Sequence, residues 1–300
     1  MTVSNDKLLE NSQLAFIGCG VMAESIIAGL LRQNLVKPEQ IFASHPRRNR
    51  QTELNAKYGI RVFESNAEAA RRVQNSETIE NFSPDDSVAV LCVKPQRLSG
   101  VLAELGNNVI SPRALVVSII AGAPIETIAA GLQNNRVVRA MPNTPSQIGA
   151  GMTAWTATPE VTERQQAQVK ILLGALGREL RVETENMIDM ATALSATGPT
   201  YIFMVMEALT DAGVHLGFSR DVSKELVQQT MLGSVLFAME SHKHPAELRN
   251  MVTSPGGTSA EAIYQMEKGS LRTVLSKAVY SAYQKAVALG QKNKPNRGQE

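Results

Sequence analysis

Short, nearly continuous apolar runs alternate with helical segments from Leu14 to about Val182. Such runs are typical of parallel strands, because helices cover both faces of a parallel sheet. Right-handed crossovers between parallel strands then favour a doubly wound sheet. The predicted strands are residues 14–17, 41–43, 88–93, 115–119 and 137–140, and the predicted helices are 22–32, 51–58, 96–105 and 125–132.

From about Glu183 onward the pattern changes to helical periodicity without a convincing strand. Ile202 and Leu209 share an apolar helix face, which we interpret as buried core, with a subunit interface as the alternative. Several further faces are apolar at once, which favours at least a homodimer. We therefore predict an α/β fold: a Rossmann-type, doubly wound, mainly parallel sheet in residues 1–182, then an all-helical domain in residues 183–300 ending in a loose polar tail.

Composition excludes several functional classes. The 300 residues carry a net charge of +2 without a basic arm, so nucleic acid is not an expected partner. The longest apolar runs, 88–93 and 115–120, are too short to cross a membrane, and residues 1–13 do not resemble a signal peptide. Cys19 and Cys92 lie in or beside predicted buried strands, which favours a reducing cytoplasm.

A Gly-x-Gly-x-x-Ala spacing stands between the first predicted strand and the first predicted helix. Gly18 allows a tight turn, Gly20 lets the backbone approach a pyrophosphate, and Ala23 lets the helix pack closely on the strand. The alternative is a tight turn without a ligand, but its place at the start of the strand–helix series favours dinucleotide binding. The predicted binding residues are Gly18, Cys19, Gly20, Val21, Met22 and Ala23.

The end of the second predicted strand indicates which dinucleotide binds. An NAD-preferring protein usually has a carboxylate there, whereas this strand ends at Ser44 and leads into three arginines, Arg47, Arg48 and Arg50. Guanidinium groups suit a 2′-phosphate, so NADPH is the expected cofactor, with NADH possible. The alternative is a solvated basic turn.

Polar and turn-forming residues follow later strands of the predicted sheet. Lys94 and Asn143 come after two of them, at the edge where open α/β sheets bind ligands. Asn143 lies between two prolines, so its alternative role is that of a stiff connector. In the helical half, Gly256-Gly257 precedes a helix, and its amides suit an anion. If Thr258 capped that helix together with Glu261, fewer amides would remain.

Neither a metal site nor a hydrolase triad is expected. The four histidines have no partners at ligand spacing, and a Gly-x-Ser-x-Gly nucleophile motif is absent from the sequence.

The sequence resembles pyrroline-5-carboxylate reductases from Leu14 to about Gly290. The most specific segments are 93–95, 141–145, 195–201 and the run from Pro245 to Thr258. The resemblance implies NAD(P)H-dependent reduction of the C=N bond of 1-pyrroline-5-carboxylate to L-proline, the last step of proline biosynthesis. It also implies that the helical domain binds substrate and dimerises.

The resemblance assigns residues as follows. Residues 18–23 would hold the pyrophosphate, and Ser44, His45 and Arg47 would lie at the adenosine ribose and its phosphate. The rest of the cofactor groove would be lined by Asn66, Val93, Lys94, Pro95 and Ala121. The predicted substrate-binding residues are Asn143, Gly257, Thr258 and Ser259, with the Ser259 hydroxyl near the ring nitrogen as the catalytic candidate.

Two segments depart from the family pattern. Ser259 stands where the family usually has Thr, and 195–199 reads Ser-Ala-Thr-Gly-Pro in place of Ser-Gly-Ser-Gly-Pro. Two other functions stay open at this point. One is a two-domain hydroxyacid dehydrogenase, although the helix after Pro199 lacks the catalytic Lys of that class. The other is a non-catalytic NADPH-binding protein.

Overall fold

The computed structural model describes residues 8–74, 82–106 and 108–292. These residues form two compact units: one holds the described parts of Met1–Thr197 and Ala282–Glu300, and the other is Gly198–Ser281. The predicted tail at 292–300 lies, apart from Lys292, outside the described residues. The functional division between residues 182 and 183 stays a prediction.

The first unit is built on a sheet of eight strands among the described residues. The strands are β1 Gln13–Ile17, β2 Ile41–Ser44, β3 Arg61–Phe63, β4 Ser87–Leu91, β5 Leu115–Ser118, β6 Val137–Met141, β7 Gly151–Ala157 and β8 Gly177–Arg181. Their order in the sheet is β3-β2-β1-β4-β5-β6-β7-β8. Strands β1 to β6 are all parallel, β7 runs antiparallel to β6, and β8 is parallel to β7. The predicted doubly wound, mainly parallel sheet is therefore confirmed.

Helices cover both faces of this sheet, as the apolar strands require. The helices of this unit are α1 Val21–Arg32, α2 Arg48–Tyr58, α3 Asn66–Arg71, α4 Leu98–Leu105, α5 Ile125–Leu132, α6 Glu163–Gly174 and α7 Asn186–Ala191. Successive side chains of β1 enter opposite layers: Phe16 packs in the layer with Ile27 of α1, and Ile17 in the layer with Leu102 of α4. Short 3₁₀ turns occupy Pro38–Gln40, Pro84–Asp86, Pro95–Arg97 and Thr144–Ile148, and a π-helix Thr192–Ala196 follows α7.

All the regular elements of the second unit are helices. Its helices are α8 Gly198–His215, α9 Arg220–Ser241, α10 Pro245–Met251, α11 Thr258–Lys268 and the first part of α12 Leu271–Lys292. Ile202 is 50% exposed and Leu209 48% exposed, so the prediction that their stripe forms buried core of this chain is wrong. A helix of this kind packs its apolar face elsewhere, which leaves the subunit interface as the surviving alternative. Among the described helices, none is long and apolar enough to cross a membrane.

The end of α12 returns to the first unit. A Cβ atom placed on Gly122, which follows β5 with a φ of +64°, would lie 2.7 Å from the Cβ of Leu289. The Tyr283 hydroxyl donates a 3.1 Å hydrogen bond to Oδ1 of Asn186 on α7. Residues 282–292 are therefore packed parts of the sheet-containing unit.

Candidate functional site

The Gly-x-Gly turn after β1 is closed by hydrogen bonds to the end of β2. Gly18 has a φ of +83°, and a Cβ at this position would overlap the Val93 side chain, so only glycine fits. The Gly18 N–H donates to Ser44 Oγ at 2.9 Å, and the Cys19 N–H donates to the Ser44 carbonyl at 2.7 Å. The Gly20 N–H donates to the Gly18 carbonyl at 2.8 Å. These three amides therefore shape the turn.

The start of α1 has the amides that an anion needs. Gly20 is the N-cap and supplies no side-chain cap. The N–H groups of Val21, Met22 and Ala23 find no acceptor within the described parts of the chain. Because the first N–H groups of a helix also carry its positive dipole end, they can hold a pyrophosphate. These three amides support the predicted phosphate site, and the binding of a pyrophosphate at residues 18–23 stays a prediction.

Glu24, in the first turn of α1, would oppose an anion if its charge were not compensated. Burial raises its pKa, but hydrogen bonds from Lys57, Tyr58 and Arg50 outweigh burial and bring the pKa below its ordinary value. Lys57 Nζ lies 3.0 Å and Tyr58 Oη 2.8 Å from Glu24 Oε1. Two cations therefore balance the Glu24 carboxylate beside the helix start.

Of the three arginines after β2, two have guanidinium groups that are unpaired within the described residues. Arg50 pairs with Glu24 and, at 2.5 Å, with Glu53, so it is already engaged. The exposed guanidinium groups of Arg47 and Arg48 have no partner in the described structure. Burial lowers the pKa of His45, whose Nδ1 accepts the Arg47 N–H at 3.1 Å. A second phosphate group would meet two available cations here.

Ser44 and Asn66, both predicted to contact the cofactor, have side chains that are bonded to the protein. Ser44 is fully buried, and its hydroxyl donates to Asn66 Oδ1 at 2.7 Å. The Asn66 side-chain amide in turn donates to Glu104 Oε2 at 2.6 Å. Direct contact of these two side chains with cofactor stays a prediction, whereas their role in holding the turn is a structural fact.

The other predicted groove residues follow β4 and β5. Val93 lies against Gly18, and exposed Lys94 leads into the Pro95–Arg97 turn. Ala121 is half-buried after β5. Because these strands are parallel to β1, their carboxyl ends lie at the same edge as the phosphate-binding turn. The topology therefore brings the predicted cofactor residues to one edge.

Two thiols are also found at this edge. Burial raises the pKa of Cys19 to about 12 and that of Cys92 well above its ordinary value. Both cysteines are free, and neither thiol ionises at neutral pH. Neither is therefore activated as a nucleophile.

Asn143 joins three elements of the first unit. Its Oδ1 accepts the N–H of Met152 on β7 at 2.9 Å, and its Nδ2 lies 3.4 Å from both the carbonyl and the hydroxyl oxygen of Ser195. Ser195 lies in the π-helix, a geometry often found at functional sites. Asn143 thus has the connector role that the sequence left open, and its contact with substrate stays a prediction.

A second uncapped helix start lies in the helical unit. α11 begins at Thr258 with Gly257 as its N-cap, so the alternative in which Thr258 caps the helix is wrong. The N–H groups of Ala260 and Glu261 donate to the Gly257 carbonyl. Those of Thr258 and Ser259 have no acceptor among the residues that the structure describes. These two amides can bind an anion such as a carboxylate.

Sequence reasoning missed a buried ion cluster that joins β6 to α7 and the residue before it. Arg139 on β6 is almost fully buried, and its guanidinium lies 2.9 Å from Glu185 Oε1 and 2.5 Å from Asp189 Oδ1. Glu185 also accepts the N–H of Ile125 at 2.8 Å. An arginine inside the apolar run of β6 was the available signal, because buried charges are paired. Within the described residues, no group of His, Cys, Asp or Glu could hold a metal.

Both halves of the chain match known protein families. Residues 185–289 match the family described as pyrroline-5-carboxylate reductase dimerisation, and residues 13–122 match NADP oxidoreductase coenzyme F420-dependent. The chain is 39% identical to pyrroline-5-carboxylate reductase of Synechocystis, covering 93% of this chain and 99% of that one. It is 38% identical to that of Pseudomonas aeruginosa, covering 94% and 98%.

Solved structures give the same result. The pyrroline carboxylate reductase of Plasmodium falciparum, solved with NADP bound, superimposes with a TM-score of 0.80 at 31% identity, covering 94% of this chain and 99% of that one. Identity above 30% over nearly the whole of both chains, together with the shared sheet and helical half, leads to one conclusion. The chain belongs to the pyrroline-5-carboxylate reductase family.

Proposed function

We propose that this chain reduces 1-pyrroline-5-carboxylate to L-proline, with NADPH as the preferred hydride donor. The observation that carries the proposal is the pair of uncapped helix starts, at Val21 and at Thr258. The first suits the pyrophosphate of a dinucleotide and the second suits the carboxylate of a small substrate. Membership of the family supports both assignments.

The proposed preference for NADPH rests on the residues that follow β2. The described loop after Ser44 has no carboxylate to accept hydrogen bonds from a ribose 2′-hydroxyl. Arg50 is paired with Glu24. Arg47 and Arg48 are exposed, so their guanidinium groups are the ones available to pair with a 2′-phosphate. The relative from Plasmodium falciparum was solved with NADP. NADH lacks the phosphate and would gain nothing from these two groups.

In this reaction the main task of the protein is to place the substrate next to the reduced nicotinamide. Bound reduced nicotinamide supplies the hydride that adds to the carbon of the C=N bond, and the nitrogen ends with a proton. If the imine binds protonated, its carbon is already electrophilic and a strong acid is unnecessary. The amides of Thr258 and Ser259 would orient the substrate carboxylate, and the Ser259 hydroxyl would hydrogen-bond the ring nitrogen. Ser259→Ala should therefore slow turnover by less than about 100-fold.

The helical half is proposed to form a homodimer or a larger homo-oligomer. Half-exposed apolar side chains of α8 and α9 such as Ile202, Leu232 and Phe237 would be covered by a second copy. The family match described as dimerisation spans these helices. The cytoplasm is the proposed location, because free thiols fit a reducing compartment.

Spectrophotometric turnover of 1-pyrroline-5-carboxylate with each reduced cofactor tests the proposal. We expect R47Q/R48Q to raise the KM for NADPH at least about tenfold and to leave the KM for NADH nearly unchanged. Arg71→Gln, an exposed arginine at the end of α3, is the matched control and should change neither. Equal losses for both cofactors would refute the phosphate assignment. Binding of NADPH without turnover would refute the enzymatic activity.

A further inference from the structure

Glu104 has three hydrogen-bond donors around its carboxylate, although it lies in the last turn of α4, outside the predicted groove. Oε1 accepts from Ser65 Oγ and from the Ala67 N–H, each at 3.0 Å, and Oε2 accepts from Asn66 Nδ2 at 2.6 Å. Burial raises its pKa, but these hydrogen bonds outweigh burial and lower it, so the carboxylate is charged at neutral pH. A charged carboxylate can only accept hydrogen bonds.

This acceptor sets the direction of a chain of hydrogen bonds that ends at the phosphate-binding turn. Because Asn66 must present its NH₂ group to Glu104, its oxygen faces Ser44 and accepts the Ser44 hydroxyl proton at 2.7 Å. The proton of Ser44 thereby points away from the turn, so a lone pair is left for the Gly18 N–H at 2.9 Å. Each of these three hydrogen bonds therefore pairs one donor with one acceptor.

We propose that Glu104 is a positioning residue for dinucleotide binding, acting through Asn66 and Ser44 on the conformation of Gly18. This inference rests on the proposed function in one respect, namely that the turn at residues 18–23 binds a dinucleotide. The group it serves is the pyrophosphate, which NADPH and NADH share. Its effect is therefore independent of the 2′-phosphate.

Without the Glu104 carboxylate, no charged acceptor fixes the orientation of the Asn66 side-chain amide. A flipped amide would direct NH₂ at Ser44, and the Ser44 proton would lose its acceptor in a fully buried position. Gly18 holds a left-handed conformation against Val93, so the turn depends on its hydrogen bonds to Ser44. A loosened turn would misplace the free amides of α1 relative to a pyrophosphate.

The test uses Glu104→Gln in the full-length protein, with NADPH and NADH titrated by fluorescence and turnover measured with each. We expect both dissociation constants to rise by the same factor, about three- to tenfold. The kcat and the KM for 1-pyrroline-5-carboxylate should stay within about twofold, a split that general loss of structure would not give. Glu68→Gln is the matched control, because exposed Glu68 lies in the first turn of α3 and makes no hydrogen bond to Asn66. It should bind both cofactors as the wild type does.

Ser44→Ala gives an independent route to the same conclusion. If one chain of hydrogen bonds is responsible, E104Q/S44A should bind no more weakly than S44A alone, and full additivity would contradict the proposal. If circular dichroism shows that E104Q does not fold, the S44A variant is the test. An S44A variant that binds both cofactors with the affinity of the wild type would overturn the inference. Wild-type protein that binds neither cofactor would refute the proposed function, whereas E104Q that binds like wild type would refute only the role of Glu104.

Discussion

Replacing Arg139 by methionine should be among the most destabilising single substitutions in the sheet unit. The Arg139 side chain is 3% exposed and that of Asp189 14% exposed, so water cannot replace the lost cation. Glu185 keeps the Ile125 N–H and is 35% exposed, which limits its penalty. Asp189 would be left as a largely buried carboxylate without a cationic partner in the described structure.

The size of the effect follows from that stranded charge. Removing one partner of a buried ion pair typically costs about 3–5 kcal/mol, whereas breaking an exposed pair costs about 0–1 kcal/mol. Arg220 and Asp211 form a pair of similar length, 2.9 Å, with side chains 67% and 48% exposed. Arg220→Met is therefore the matched control. At a urea dependence of about 3 kcal/mol per molar, Arg139→Met should lower the midpoint by roughly 1–2 M.

Urea unfolding followed by circular dichroism, at one fixed protein concentration, measures both variants. R139M/D189L should recover more than half of the lost free energy, because a buried charge pair replaced by apolar side chains is often close to neutral. A loss for R139M no larger than that for R220M would refute the reasoning. So would a double variant less stable than R139M.

Three further predictions address the cofactor edge. Hydrogen bonds hold the pKa of Glu24 below 4.5, so its stabilising contribution is present above about pH 4.5 and is lost as pH falls through the lowered pKa. The free energy of unfolding of Glu24→Gln should therefore be lower than that of the wild type at pH 7 and equal to it in strong acid. A difference that does not change with pH would contradict this. Cys19, which is fully buried and whose pKa burial raises to about 12, should react with a disulfide reagent only as fast as the protein unfolds; rapid labelling of Cys19 in native protein would show otherwise. Gly18→Ala should weaken NADPH binding at least about tenfold in a fluorescence titration while circular dichroism stays native, and an unchanged dissociation constant would contradict the proposed role of the turn.

The sequence predicted those strands that are buried along their whole length. β1, β2, β4, β5 and β6 are buried at every position, which makes each a continuous apolar signal with few polar residues. β3 and β8 lie at the two edges of the sheet, half solvated and rich in arginine, so periodicity could not reveal them. β7 was missed as well; it runs antiparallel to β6, and the segment between them holds Asn143 and the 3₁₀ turn Thr144–Ile148.

The parts of the candidate site that consist of backbone amides could be predicted from the sequence. The glycine turn and the start of α11 depend on local spacing, which a sequence displays directly. Side-chain partners are different, because they depend on which distant segments meet. Ser44 and Asn66 are 22 residues apart, and Glu104 is 38 residues further along the chain. Only the assembled sheet shows that the Ser44 hydroxyl faces the turn.

The return of α12 to the first unit has a consequence for how the chain can be made. The unit that holds the glycine turn after β1 is discontinuous in sequence, with Gly198–Ser281 inserted between its two parts. During synthesis, Leu289 emerges from the ribosome long after Gly122, so the loop at Gly122 stays uncovered until Leu289 has been made. A fragment that stops after the last strand would lack this cover, and the sheet unit is thus obtained whole only when residues 282–292 are present.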